Sequence, residues 1–301
     1  MKKIISNLKK LFRASEYAVA FELIKGLDQP ELLTPISDII LKEFKKLKKS
    51  RCHKSADELI KGISALNMTN VFEILLDGCE LGLGGKRKWH EGCLIRNDIF
   101  SGGENEWGVQ QSFNDYVLLN LIGYAPEECN VSESIKRKNI TVLHRTGYDY
   151  DSRIYGAAEL SLFPEGICNM TNLKHLDLSH NSFNFSQKNS EEIGKLKKLE
   201  ILDLSFNGMG KINNIGALQK LQKLNLYSCG LKSIPTDIIT LNELRVLNVG
   251  GNQITSLPPR FLSQDSLIKL EELNLEENKL TSFPKEFLSH PVFFKYSFSP
   301  G

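Results

Sequence analysis

One pattern constrains this chain more than any other feature. From Leu173 onward, aliphatic or similar residues recur at positions 1, 4, 6 and 11 of a short segment, with a side-chain amide or its substitute at position 9. The segments are LKHLDLSHNSF from Leu173, LEILDLSFNGM from Leu199, LQKLNLYSCGL from Leu221, LRVLNVGGNQI from Leu244 and LEELNLEENKL from Leu270. Their fourth positions, Leu176, Leu202, Leu224, Leu247 and Leu273, are separated by 26, 22, 23 and 26 residues. Within a segment, alternation such as Leu202, Asp203, Leu204 sends apolar side chains to one face of a short strand and polar ones to the other. One such strand cannot bury its apolar face alone. Neighbours must stack, which gives a parallel sheet on the inside of a curve with the return segments outside.

At position 9, Asn181, Asn207, Asn252 and Asn278 can satisfy backbone groups where the chain leaves the strand, and so are expected to form a buried ladder. Cys229 takes that place in the middle repeat. The return segments place Pro one residue after an apolar anchor, at Phe163, Ile234, Leu257 and Phe283. Proline favours a turn there and forbids a ladder strand, so turns and short helical pieces are expected on the convex side. FPEGI further implies an irregular first repeat before Leu173, beginning near Ile154. The aromatics Phe293, Phe294, Tyr296 and Phe298 are candidates to cover the last hydrophobic layer, since a solenoid end needs a cap.

The pattern and its spacing resemble the leucine-rich repeat family, over the C-terminal half of the chain. The resemblance implies an α/β fold, a leucine-rich-repeat solenoid with a curved parallel sheet, and a structural role for Cys229, because the family tolerates Cys at that position. It also implies protein binding on the concave face.

The first half reads differently. Residues 1 to 81 read mainly as helix, from apolar sets such as Ile4, Ile5, Leu8, Leu11 and Phe12, or Ile36, Ile39, Ile40 and Phe44. ELIKG occurs at Glu22 to Gly26 and again at Glu58 to Gly62, an offset of 36 that suits two stacked α-hairpins. Residues 71 to 81 match the repeat template at several positions, but Thr69 offers a helix N-cap and no clear repeat follows, so a helix is expected. Residues 82 to 151 hold Gly82, Gly84, Gly85, Gly102 and Gly103 and one strong apolar run, Tyr116 to Ile122, and read as a loop-rich adaptor with one packed element. The repeat domain is expected over residues 152 to 301.

Charge and motifs narrow the function. With 38 Lys+Arg against 36 Asp+Glu, the formal net charge of +2 does not favour non-specific nucleic-acid binding by the whole chain. Basic residues concentrate at the start, where residues 1 to 51 hold 12 Lys/Arg and 6 Asp/Glu. The opening MKKIISNLKKLF is broken by Asn7, Lys9 and Lys10, so no cleaved leader is expected, and a cytoplasmic location with six free thiols follows. Cys79, His90 and Cys93, with Cys52 or His53, are zinc-ligand types but lack paired spacing. HEGCL carries Leu94 where a second imidazole is required, LGLGGKRK departs from a phosphate loop at Glu80 and Arg87, and Arg153 and Ile154 spoil a calcium loop at Asp149 and Asp151. No catalytic residue, cofactor or metal is expected.

The concave face supplies the candidate partner-binding residues: His175, Asp177, Ser179, His180, Ile201, Asp203, Phe206, Lys223, Asn225, Tyr227, Arg245, Asn248, Glu272, Asn274, Glu276 and Glu277. Phe206 and Tyr227 are the aromatic anchors among them. The expected function is non-catalytic protein–protein interaction. Two alternatives stand beside it: a regulator or ligase-like effector with a reactive thiol, Cys93 first, and a peripheral membrane adaptor using amphipathic residues 2 to 13.

Overall fold

The computed structural model describes residues 2–27, 32–50, 52–81, 89–90, 93–95, 116–117, 119–125, 129, 142–144, 160, 162–182, 184–261, 263, 265–282 and 293–295. Ile154, Tyr296 and Phe298 lie outside them.

The N-terminal region is helical. Helices α1 (Lys2–Arg13), α2 (Tyr17–Lys25), α3 (Leu33–Ser50), α4 (His53–Ala65) and α5 (Thr69–Leu81) follow one another closely. Helix α1 packs on α2 and α3, α2 on α4, and α3 on α4, while α5 touches both α3 and α4. The helices related by the 36-residue offset therefore lie against each other as two stacked hairpins. The duplicated glycines serve different ends. Gly26 caps α2, whereas Gly62 lies where the Phe21 ring comes so close that a Cβ would sit 2.1 Å from it. The apolar face of α1 is occupied by this core, with Leu8 and Phe12 buried and Ile4, Ile5 and Leu11 packed against it. While α1 is packed on α3, Leu8 and Phe12 are engaged in this core and are not displayed to a bilayer.

Among the described residues the sheet contains nine strands in chain order: β1 (Trp89–His90), β2 (Cys93–Ile95), β3 (Val142–His144), β4 (His175–Asp177), β5 (Ile201–Asp203), β6 (Lys223–Asn225), β7 (Val246–Asn248), β8 (Glu272–Asn274) and β9 (Phe293–Lys295). β1 runs antiparallel to β2, and the other described pairs are parallel. The register is uniform, so Leu94, Leu143, Leu176, Leu202, Leu224, Leu247, Leu273 and Phe294 are successive partners. The sheet thus begins before residue 152. Residues 82–151 contribute β1, β2 and β3 to it, and Phe293 and Phe294 extend the sheet as part of β9.

Buried leucines at positions 1, 4 and 6, with Val249 in place of one of them, form the spine, and the convex side turns through short 3₁₀ pieces at Glu165–Asn169, Ile215–Ala217 and Thr236–Thr240. Helix α6 (Gln187–Ile193) is the one longer return among the described residues. It starts at a capping box in which the Ser186 hydroxyl accepts from the Asn189 amide and the Asn189 side chain accepts from the Ser186 N–H.

The position 9 amides tie the turns together. Asn252 Nδ2 lies 2.9 Å from the Leu226 carbonyl of the preceding repeat and 2.8 Å from Val249 O in its own, while its Oδ1 accepts from Cys229 N and Leu231 N at 3.0 and 2.9 Å. Asn207 and Asn278 donate in the same way to Leu178 O and Val249 O. Cys229 stands in for the amide: its thiol points at Leu204 O, 3.2 Å away, and burial pushes its pKa up to about 12. It is a protonated, structural thiol.

The two halves meet on the convex side. A helical segment, residues 116–117 and 119–124, lies between α4 and the FPEGI turn. Asn120 Oδ1 accepts from Gly166 N at 2.8 Å, Ser64 Oγ donates to Tyr124 O at 2.7 Å, and Lys61 reaches Glu165 at 3.0 Å. A Cβ at Gly123 would sit 1.9 Å from Gly166 O, so glycine is required for this approach. Lys188 also binds Glu165, at 2.9 Å, and with Lys61 holds that carboxyl below its usual range against the opposing effect of burial.

Leu224 is 1% exposed at the middle of the stack. Leu224→Ala should lower unfolding free energy by about 2–5 kcal/mol in chemical denaturation, and an unchanged midpoint would contradict its place in the spine.

Candidate functional site

The concave wall is built from positions 3, 5, 7 and 8, and position 5 is committed to structure. In each repeat its side-chain oxygen accepts from the backbone N–H two residues on: Asp177 from Ser179, Asp203 from Ser205, Asn225 from Tyr227, Asn248 from Gly250 and Asn274 from Glu276, at 2.9–3.1 Å. Asn225 Nδ2 also donates to Asp203 Oδ2 at 2.8 Å, linking adjacent turns. Burial raises the pKa of Asp203, an effect opposed by its bonds to Ser205 and Asn225. These residues hold the strand ends and leave limited hydrogen-bonding capacity for a partner.

Position 8 turns the chain into left-handed backbone in all five repeats: φ is 52° at His180, 54° at Phe206, 53° at Ser228, 64° at Gly251 and 54° at Glu277. The preceding N–H groups still pair along the sheet, His180 N with Ser205 O and Phe206 N with Tyr227 O, both at 2.9 Å. The side chain of position 8 is thereby presented at the rim of the wall by a backbone that only glycine adopts without strain.

Three aromatic rings occupy this rim. His180 stacks on Phe206 with ring centroids 4.1 Å apart and planes at 14°. Phe206 meets Tyr227 at 5.3 Å and 52°. Burial lowers the His180 pKa, outweighing the upward pull of Asp203 and Asp177, so a neutral imidazole stacks at neutral pH. Phe206 is 42% exposed. The Tyr227 ring extends over Gly250 and Gly251, where an added Cβ would come within 3.0 Å of it. Its hydroxyl donates to Glu277 Oε2 at 2.8 Å, two repeats away.

Of the sequence candidates, the structure brings His180, Phe206, Tyr227 and Glu277 into one connected row, with Lys223, Glu272 and Glu276 beside them on the same face. His175 and Ile201 are half-buried on adjacent strands. Two candidates require correction. Ser179 is 4% exposed, because its backbone is drawn in by Asp177 and the repeat closes over it. Arg245 occupies position 2, one residue before β7, where it pairs with Glu271 of the next repeat; Val246 holds position 3. Sequence reasoning missed the use of Gly250 and Gly251 as a bed for Tyr227, although the Gly doublet inside a repeat was its visible signal.

Among the described residues no group of three or more His, Cys, Asp or Glu is arranged to hold a metal ion. Cys52 donates to Ser55 Oγ at 3.2 Å, and the His53 ring meets the Tyr116 ring edge-on at 4.8 Å. The side chains of Cys79, His90 and Cys93 lie outside the described residues.

Sequence comparison agrees with this geometry. Family models described as Leucine Rich repeats (2 copies), Leucine Rich Repeat and Leucine Rich repeat match residues 242–290, 172–196 and 195–211. The leucine-rich repeat matches thus lie in the C-terminal half of the chain, between residues 172 and 290. Toll-like receptor 1 of Homo sapiens is 33% identical over 100 residues, 33% of this chain and 13% of the receptor. Leucine-rich repeat and IQ domain-containing protein 4 of Mus musculus is 37% identical over 79 residues, 25% of this chain and 13% of that protein. The chain thus matches about an eighth of the length of these curated relatives. A solved leucine-rich-repeat protein of Leptospira interrogans aligns with TM-score 0.43 and 26% identity, covering 62% of this chain and 50% of that one.

The Tyr227 hydroxyl is held protonated chiefly by its bond to Glu277, which raises its pKa. That bond is intact below the ordinary tyrosine value of about 10 and is lost as pH rises through the higher folded value. A difference absorbance titration between the parent and Tyr227→Phe should give a midpoint above about 10 that Glu277→Gln lowers; a midpoint at the ordinary value would remove the bridge.

Proposed function

We propose that this chain is a non-catalytic protein–protein interaction module that receives a protein partner on the concave wall of its solenoid. The observation that carries the reading is the row His180, Phe206 and Tyr227, in which an exposed phenyl ring is fixed between two other rings before any partner arrives. A pre-ordered aromatic supplies contact area at little further entropic cost, which is the usual character of an interface anchor. Lys223, Glu272, Glu276 and Glu277 flank the row and would set which partner charges are accepted. Similarity to a family whose relatives include a protein named as a receptor supports recognition over catalysis.

The reading places the protein in a reducing compartment, in keeping with thiols rather than disulfides at Cys52, Cys168 and Cys229. No helix among the described residues is long and apolar enough to cross a membrane.

The test is quantitative affinity capture with the full chain, comparing the parent, Phe206→Ala/Tyr227→Ala, and a convex-side control, Lys197→Ala/Lys220→Ala. The aromatic variant should lose the enriched partner at least about tenfold, the effect expected of hot-spot truncation, while its circular dichroism melt stays close to the parent. Equal capture by the parent and the aromatic variant would place the interface elsewhere.

A further inference from the structure

Cations in the solenoid are commonly paired across repeats. Lys174 lies 3.5 Å from Glu200, Lys188 2.9 Å from Glu165 and Lys269 2.7 Å from Glu243. In the helical region Lys25 and Lys61 are paired too, with Glu22 and Asp57, but one cluster of cations is not. An open cleft of about 550 Å³ between α1 and α3 is rimmed by Lys9, Arg13, Lys42, Lys45, Lys46 and Lys49. Lys42, Lys45, Lys46 and Lys49 follow i, i+3, i+4, i+7 spacing on one face of α3, and Lys9 and Arg13 are four residues apart on α1. Phe12 and Ile39 line the bottom. Glu43 is the sole carboxylate in the lining, and it is already engaged by the Tyr17 hydroxyl at 3.1 Å and Lys46 Nζ at 3.0 Å. Among the described residues, Lys9, Arg13, Lys42, Lys45 and Lys49 form no ion pair. Apart from the Lys46–Glu43 pair, like charges are gathered here without compensation among the described residues, which raises the potential in a concave space.

The form of the cleft selects among anions. Phe12 is 1% exposed and offers no face on which a nucleic-acid base could stack. The apolar side of α1 is packed on the core, so no apolar wedge for a bilayer adjoins the rim. An acidic peptide spreads single charges along an extended backbone. Phosphate groups instead concentrate charge and strong acceptors in a small volume, which suits ammonium and guanidinium donors converging from two helices. The volume lies within the range of small-molecule sites.

We infer that the cleft between α1 and α3 binds a compact anion carrying several phosphate groups, as found in soluble inositol polyphosphates and in phosphoinositide head groups. Binding is electrostatic and weakens with salt.

Isothermal titration of the full chain with myo-inositol hexakisphosphate tests it, alongside co-sedimentation with phosphatidylcholine vesicles with and without phosphatidylinositol 4,5-bisphosphate. Saturable hexakisphosphate binding should weaken at least about tenfold in Lys45→Ala/Lys49→Ala, while Lys2→Ala/Lys3→Ala, an equal charge loss outside the cleft, changes it less than about twofold. Phosphoinositide-dependent sedimentation that hexakisphosphate displaces identifies a lipid head group as the source, and its absence identifies a soluble anion. Absence of hexakisphosphate binding, equal weakening in both lysine pairs, or binding of a poly-glutamate peptide of equal charge at least as tightly would overturn the inference.

Discussion

The structure depends on one repeated interaction: a buried side-chain amide donating to carbonyls of its own and the preceding turn. Parallel strands only three residues long make few backbone bonds, and a stack held by those alone could shear. Asn252 closes that freedom by engaging groups at Leu226, Val249, Cys229 and Leu231 together. Because those groups are buried, losing them leaves several unsatisfied polar atoms, which is far costlier than one exposed bond. Cys229 supports the same logic from the other direction. Its thiol is a weak donor, yet it points at the carbonyl that the amide would serve, and Asn252 satisfies the neighbouring N–H groups.

Where a residue's role followed from a periodic demand, it was legible in the sequence. The leucine positions, the amide ladder, the Pro-marked returns after Phe163 and Ile234 and the helical character of residues 71–81 all follow from local periodicity or turn chemistry, while the return after Phe283 lies outside the described residues. The strands at Cys93–Ile95 and Val142–His144 were not legible, because they lack the amide and the complete leucine pattern and become strands by pairing with a neighbouring edge. Phe293–Lys295 joined the sheet in the same manner. Tertiary pairing decides such short segments, whatever their own propensity.

The candidate site was readable only in outline. Alternation identified the outward positions but could not distinguish Asn248, turned back onto Gly250 N, from Phe206, left at the surface. Nor could it reveal the left-handed turn at position 8, since Phe206 and Glu277 are not residues that announce positive φ. The junction between the halves was also partly hidden. Tyr116 to Ile122 stood out as apolar, but the contact of Gly123 with Gly166 links residues distant in sequence.

The Tyr227 to Glu277 bridge has a mechanical consequence. A coil of stacked turns deforms like a spring, each turn tilting slightly against the next. A strut joining alternate turns resists that tilt, whereas rings that are merely stacked can slide. Bending compliance should therefore be unequal along the arc, with the stretch between Tyr227 and Glu277 stiffer than the stretch between His180 and Phe206.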